Sequence, residues 1–151
     1  MSSEIITTLN ARLSEEIVAI IQYTTHSACA ENWGLPILAK YLMDTAKVEM
    51  GHSHELMDRI FALDEVPVVT LGEVKIGKDV KEIVHLSAEA EEEAIEHYNE
   101  SIIQAHDLKD NSSKKIFESN ELDEQKHYDF WEAEEYKIDQ MGLELFLSTL
   151  I

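Results

Sequence analysis

The 151-residue chain has one cysteine, Cys29. No intrachain disulfide can form, and an all-thiolate metal site is excluded. A lone thiol fits a reducing cytosol, so the cytoplasm is the expected location. Proline and glycine are scarce, at 2 and 5 residues. That disfavours a many-turned β fold and favours long helices. Cationic residues are few as well: 12 Lys and Arg stand against 31 Asp and Glu, for a net charge of −19. Such a surface repels nucleic acid and anionic membranes and attracts cations. No window approaches the ~18 apolar residues of a membrane span. The opening MSSEIITTLN has neither a basic stretch nor a long apolar run, so no secretory signal is expected. What remains is a chain with 44% hydrophobic residues, enough for a core, and the length of a single domain spanning 1–151.

Hydrophobic periodicity predicts four long helices. Leu9, Leu13, Ile17, Ile20 and Ile21 carry the first, over about residues 4–32. NWGLP ends it, with Gly34 able to take a left-handed cap and Pro36 suited to the next first turn. Leu38, Leu42, Leu56 and Ile60 carry the second helix to about residue 63. The third runs over about 78–106 and the fourth to about 139, separated by the polar turn DLKDNSS. LELFLSTLI forms a short fifth. Between the second and third helices lies VPVVTLGEVKIG, which is extended. A helix of about 28 residues is about 42 Å long, and an extended connection of about 14 residues reaches about 46 Å. The connection therefore spans the bundle as a crossover, and its apolar residues are expected to be covered.

Two stretches repeat. EIVAIIQY, Glu16 to Tyr23, and EEEAIEHY, Glu91 to Tyr98, share E-x-x-A-I-x-x-Y. Each is followed, 33 residues after its glutamate, by Glu-x-x-His: Glu49/His52 and Glu124/His127. All six residues fall on apolar helical stripes, where a core is expected. The 33-residue interval climbs one helix and descends the next, returning the pairs to one height. Four buried carboxylates cannot stay ionised unpaired. Two divalent ions would balance them, and hard oxygens with one imidazole each suit iron or manganese. One glutamate from each of two helices, with Glu-x-x-His from the other two, is the arrangement of dinuclear carboxylate bundles. A third such motif, Glu82/His85, lies off the stripe and is assigned to the surface. Tyr23, Tyr98, Trp33 and Trp131 read as packing, with either tyrosine near enough to bond a ligand. His26, His97 and His106 default to the surface, and His54 to solvent or a cavity wall.

Taken together, EIVAIIQY, NWGLP, VEMGHSHELMDRI, DEQKH and MGLELFL resemble the bacterioferritins of the ferritin-like superfamily over nearly the whole chain. The resemblance implies an all-α, ferritin-like four-helix bundle with a long crossover between helices 2 and 3 and a short C-terminal fifth helix. It implies Fe(II) oxidation by O2 or H2O2 at an intrasubunit di-iron centre, two irons per subunit, with ferric mineral stored in a hollow shell. Glu16 and Glu91 would be terminal ligands, Glu49 and Glu124 bridging ligands, and His52 and His127 the nitrogen ligands. Met50 would ligate a haem shared between two subunits. The shell would be a homo-oligomer built from dimers, of about 24 subunits by family default or about 12, with a ferredoxin-type electron donor. The chain departs from the family at Asp44 and Val48, where familiar members carry a histidine and an acid on the cavity wall. Two other functions fit the same pattern less well. A rubrerythrin-like peroxidase would be expected to carry a C-x-x-C module, which is missing. In a non-enzymatic haem or helix-bundle protein the acids would be solvated faces.

Overall fold

A computed structural model describes residues 3–151. It contains α1 (Ser3–Asn32), α2 (Pro36–Ala62), α3 (Val80–Asp107), α4 (Asn111–Met141) and the short α5 (Leu143–Ser148). The four long helices form a bundle in which α1 packs on α2 and α3 on α4.

The connections follow from local chemistry. Gly34 takes a left-handed φ of +78°, the Leu35 N–H bonds Ala30 O, and Pro36 begins α2. Asp79 caps α3, accepting from the Glu82 N–H at 2.8 Å, while the Glu82 carboxylate accepts from the Lys78 N–H. The turn between α3 and α4 is shorter than DLKDNSS suggests. Asn and Ser favour turns, but Asp110 caps the N–H of Ser113 at 3.0 Å. That places NSS in the first turn of α4, with left-handed Lys109 closing α3. Arg59 fastens α2 to this corner, reaching Asp110 and Ser113 at 2.9 Å each.

Residues 63–79 run back along α1. The Val68 N–H bonds Asn10 Oδ1, the Thr70 N–H bonds Ser14 Oγ, and the Gly77 N–H bonds His26 Nε2. The first two pins are two residues apart on the crossover and four apart on the helix. Two extended residues cover about 6.6 Å and four helical residues about 6 Å, so the registers match. The chain thus runs up, down, crosses over, and runs down and up. Gly77 is required at the far end, because a Cβ there would stand 2.8 Å from the Ile83 nitrogen. The backbone holds the crossover; its apolar side chains do not. Val66 is 72% and Leu71 58% exposed in the single chain, where the sequence led us to expect cover.

His26 corrects its surface assignment, since it is fully buried. Burial pushes its imidazole down to about 4, against the pull of nearby Glu82. An unfolded imidazole titrates near 6.5. Between those values the unfolded chain holds the extra proton, so this contribution is complete above pH 6.5 and is lost as pH falls toward 4. The shift is worth at most about 3 kcal/mol. Urea midpoints measured from pH 7.5 to 4 should fall less steeply for His26→Gln than for the parent; equal slopes would count against this contribution from His26.

The core divides into two apolar clusters. One, at the α1–α2 corner, includes Leu35, Leu42, Val84, Trp131 and Phe146. The other, at the opposite end, includes Leu9, Leu56, Ile60, Tyr98 and Phe117. The tail is divided too: Phe146 and Leu150 are buried on the chain's own bundle, while Leu145 and Ile151 are exposed. Trp33, read from sequence as packing, is 39% exposed.

Candidate metal centre

Glu16, Glu49, His52, Glu91, Glu124 and His127 are all buried and form a polar layer in the bundle. The four helices bring them to one level, as the 33-residue spacing requires. His52 Nδ1 stands 3.4 Å from Glu16 Oε1, 3.5 Å from Glu49 Oε1 and 3.4 Å from Glu124 Oε1. His127 Nδ1 stands 3.6 Å from Glu49 Oε1, 3.4 Å from Glu91 Oε1 and 3.6 Å from Glu124 Oε1. Glu49 and Glu124 thus face both imidazoles, whereas Glu16 faces His52 and Glu91 faces His127. Two groups of donors lie mutually within 4.8 Å: Glu16, Glu49, His52 and Glu124, and Glu91, Glu124 and His127.

The layer is unsatisfied as a protein-only structure. Glu16 Oε2, Glu49 Oε1, His52 Nδ1, Glu91 Oε2, Glu124 Oε1 and His127 Nδ1 are buried without a hydrogen-bond partner. Such atoms are rare in a core unless something else meets them. The electrostatics agree. Burial, then repulsion from neighbouring carboxylates, holds Glu49 and Glu124 well above the ordinary carboxylate range. Burial pulls His52 down, but Glu16 and Asp123 outweigh it and hold the imidazole at about 9. The shifts of Glu49, Glu124 and His52 all favour the protonated form, and divalent cations would compete with those protons.

The tyrosines of the repeat bond crosswise. Tyr23, seven residues after Glu16, donates to Glu91 Oε1 at 2.5 Å. Tyr98, seven after Glu91, donates to Glu16 Oε1 at 2.6 Å. Burial and the adjacent carboxylates push both phenols well above 10, so each remains an O–H donor. Trp131, read as packing, is buried but also donates to Tyr23 Oη at 3.1 Å, and Asn120 donates to Tyr98 Oη at 3.2 Å. Asp123, at 2.9 Å from His52 Nε2, went unassigned in the sequence, although it is the first residue of DEQKH.

A cavity of about 420 Å³ opens beside the layer, under the crossover. Its lining includes Glu16, Glu49, Glu91 and Glu124, with Glu73, Glu89 and Glu93 among its other acids. Glu82/His85 lies apart from the layer, as expected. Glu82 caps α3, and exposed His85 sits 3.5 Å from Glu89 and 3.3 Å from Glu135. His54 is exposed beside Asp58, and His97 Nδ1 lies 2.7 Å from Glu15. Met50 follows Glu49 but points away from the layer and is 46% exposed. Asp44, one of the two departures from the family pattern, is exposed and paired with Lys40.

A family model described as a ferritin-like domain matches residues 6–141. The chain is 32% identical to a bacterioferritin of Mycolicibacterium paratuberculosis over 149 residues, 98% of this chain and 94% of that one. It is 36% identical to a bacterioferritin of Streptomyces coelicolor over 149 residues, covering 98% and 89%. With a bacterioferritin of Rhodobacter capsulatus it shares 34% over 141 residues, covering 93% and 88%.

Proposed function

Because the chain belongs to the ferritin-like family, we propose that it is an iron-storage protein of the bacterioferritin kind, which oxidises Fe(II) in its own bundle. The observation that carries this reading is the set of buried, unpartnered oxygen and nitrogen atoms on Glu16, Glu49, His52, Glu91, Glu124 and His127. Four carboxylates balance two Fe(II), the substrate. Glu49 and Glu124, which face both imidazoles, bridge. Glu16 and Glu91 terminate, and each is held by a tyrosine of the opposite half. Carboxylate oxygens favour Fe(III) over Fe(II). Two adjacent Fe(II) give up two electrons, which with two protons take O2 to hydrogen peroxide, or one H2O2 to two waters. The acidic cavity under the crossover concentrates Fe(II) next to the layer.

Storage needs a shell. Exposed Ile37, Phe61, Val66, Leu71, Leu145 and Ile151 are apolar surface for burial against copies of the same chain, dimers first. A family-default shell of about 24 chains, or one of about 12, is the expected closed form. Among the described residues no helix is long and apolar enough to cross a membrane. With one cysteine, a cytoplasmic setting fits.

A haem is part of this reading. Met50 fits as one half of its ligation: the residue is about half exposed, outside the bundle core and apart from the buried carboxylate layer. A methionine from each of two subunits would hold the iron. A haem held by Met50 would supply one-electron chemistry at a raised potential, suited to iron release with a ferredoxin-type donor.

Light scattering with iron assay should give a closed shell binding two Fe(II) per chain with fast oxidation, by O2 or by H2O2. A monomer, or fewer than two sites, would defeat the proposal. With haem supplied, Met50→Leu should abolish the Soret band while mass and oxidation rate stay unchanged. A parent protein without that band would remove haem from the reading.

A further inference from the structure

The internal repeat makes the two metal positions formally equivalent, yet the residues behind them differ. His52 presents Nδ1 to the carboxylates, and its Nε2 is 2.9 Å from Asp123, the residue before Glu124. The matching partner for His127 would be the residue before Glu49, which is Val48. Asp123 and Val48 are comparably exposed, at 39% for the acid's side chain and 38% for the valine. They occupy corresponding places on α4 and α2. Valine has no acceptor, and among the described residues no protein group bonds His127 Nε2. The burial differs in step: the His52 side chain is 4% exposed and that of His127 11%. The donor sets differ as well, four mutually close atoms on the His52 side and three on the His127 side.

We infer that Asp123 is a positioning residue which makes the two metal positions unequal: a tight one at Glu16, Glu49, His52 and Glu124, filled first, and a loose one at Glu91, Glu124 and His127. The inference rests on the dinuclear reading above. An acceptor on the far nitrogen fixes the imidazole tautomer, keeps the Nδ1 lone pair aimed inward and makes it a better donor. Loss of such a partner weakens metal binding by about 10- to 100-fold. His127, without one, is free to turn and to present a proton at the wrong nitrogen. The His127 position is therefore expected to exchange its ion faster than the His52 position.

The probes are Co(II), followed by its visible d–d absorption, and Zn(II), followed by calorimetry, each titrated into the metal-free protein. The parent should bind two ions per chain in two resolved steps. Repulsion between the ions separates such steps even at equal positions, so the variants decide. Asp123→Ala should weaken the first step by about 10- to 100-fold and change its Co(II) spectrum. Asp123→Asn, which keeps an acceptor without the charge, should fall between Asp123→Ala and the parent. Val48→Asp should tighten the second step and bring the two together. His127→Ala should remove the loose step alone. A first step unchanged in Asp123→Ala, with helical circular dichroism intact, overturns the inference, as does a Val48→Asp protein whose second step does not tighten. If neither ion binds, the dinuclear reading itself has failed.

Discussion

Glu124→Ala is expected to slow Fe(II) oxidation by more than about 100-fold, beyond the loss from removing an outer-layer partner of a metal. Glu49→Ala should do the same. Each carboxylate lies within 3.6 Å of both imidazoles, so removing either takes away an oxygen that faces both halves of the layer. The fold should survive. In the metal-free protein these carboxylates repel one another, and deleting one relieves that repulsion while leaving alanine, the best helix former, in its place. Stopped-flow oxidation and thermal melts of the metal-free proteins check both halves. A variant that oxidises iron at the parental rate would take Glu124 out of the centre.

Phe146→Ala is expected to cost about 3–5 kcal/mol, the range for emptying a buried phenylalanine site. The ring is fully buried in the cluster that holds Leu35, Trp131 and Ile138. Leu145→Ala next to it, at 58% exposure, should change chain stability by no more than about 0.5 kcal/mol. Denaturant midpoints of the two proteins separate the tail's role inside the chain from any role between chains. If Phe146→Ala unfolds with the parent, the tail is not part of the core. Deleting residues 143–151 would confound the two effects, whereas Leu145→Asp loads only the exposed face and is the better probe of assembly.

The helices and the level of the acids were legible in the sequence because both depend on periodicity. Core stripes recur at 3.6 residues, and equal climbs up one helix and down the next return two residues to one height. The crossover was legible in length but not in surface. Its apolar residues suggested cover, yet its fastening is backbone N–H groups bonded to Asn10, Ser14 and His26, and a backbone donor leaves no mark in composition. His26 was missed for that reason: one histidine on a helix does not announce the glycine that meets it. Asp123 was invisible for another reason. It is one of many surface-pattern acids in a chain of net charge −19, and only its distance to His52 distinguishes it. The tail was half legible, since a run of alternating leucines and phenylalanine does not say which members a bundle end will take.

The crossed bonds, Tyr23 to Glu91 and Tyr98 to Glu16, have a consequence for how such a bundle can be divided. Each helical hairpin carries a tyrosine whose acceptor is on the other hairpin and a glutamate whose donor is there too. Two identical hairpins meeting about a two-fold axis would make the same pair of contacts between molecules. Here the crossover along α1 keeps the halves permanently at high effective concentration, so the contacts no longer depend on encounter. Joining also frees the halves from being identical. A symmetric pair must place the same residue behind both histidines, whereas one continuous chain can set Asp123 behind one and leave Val48 behind the other.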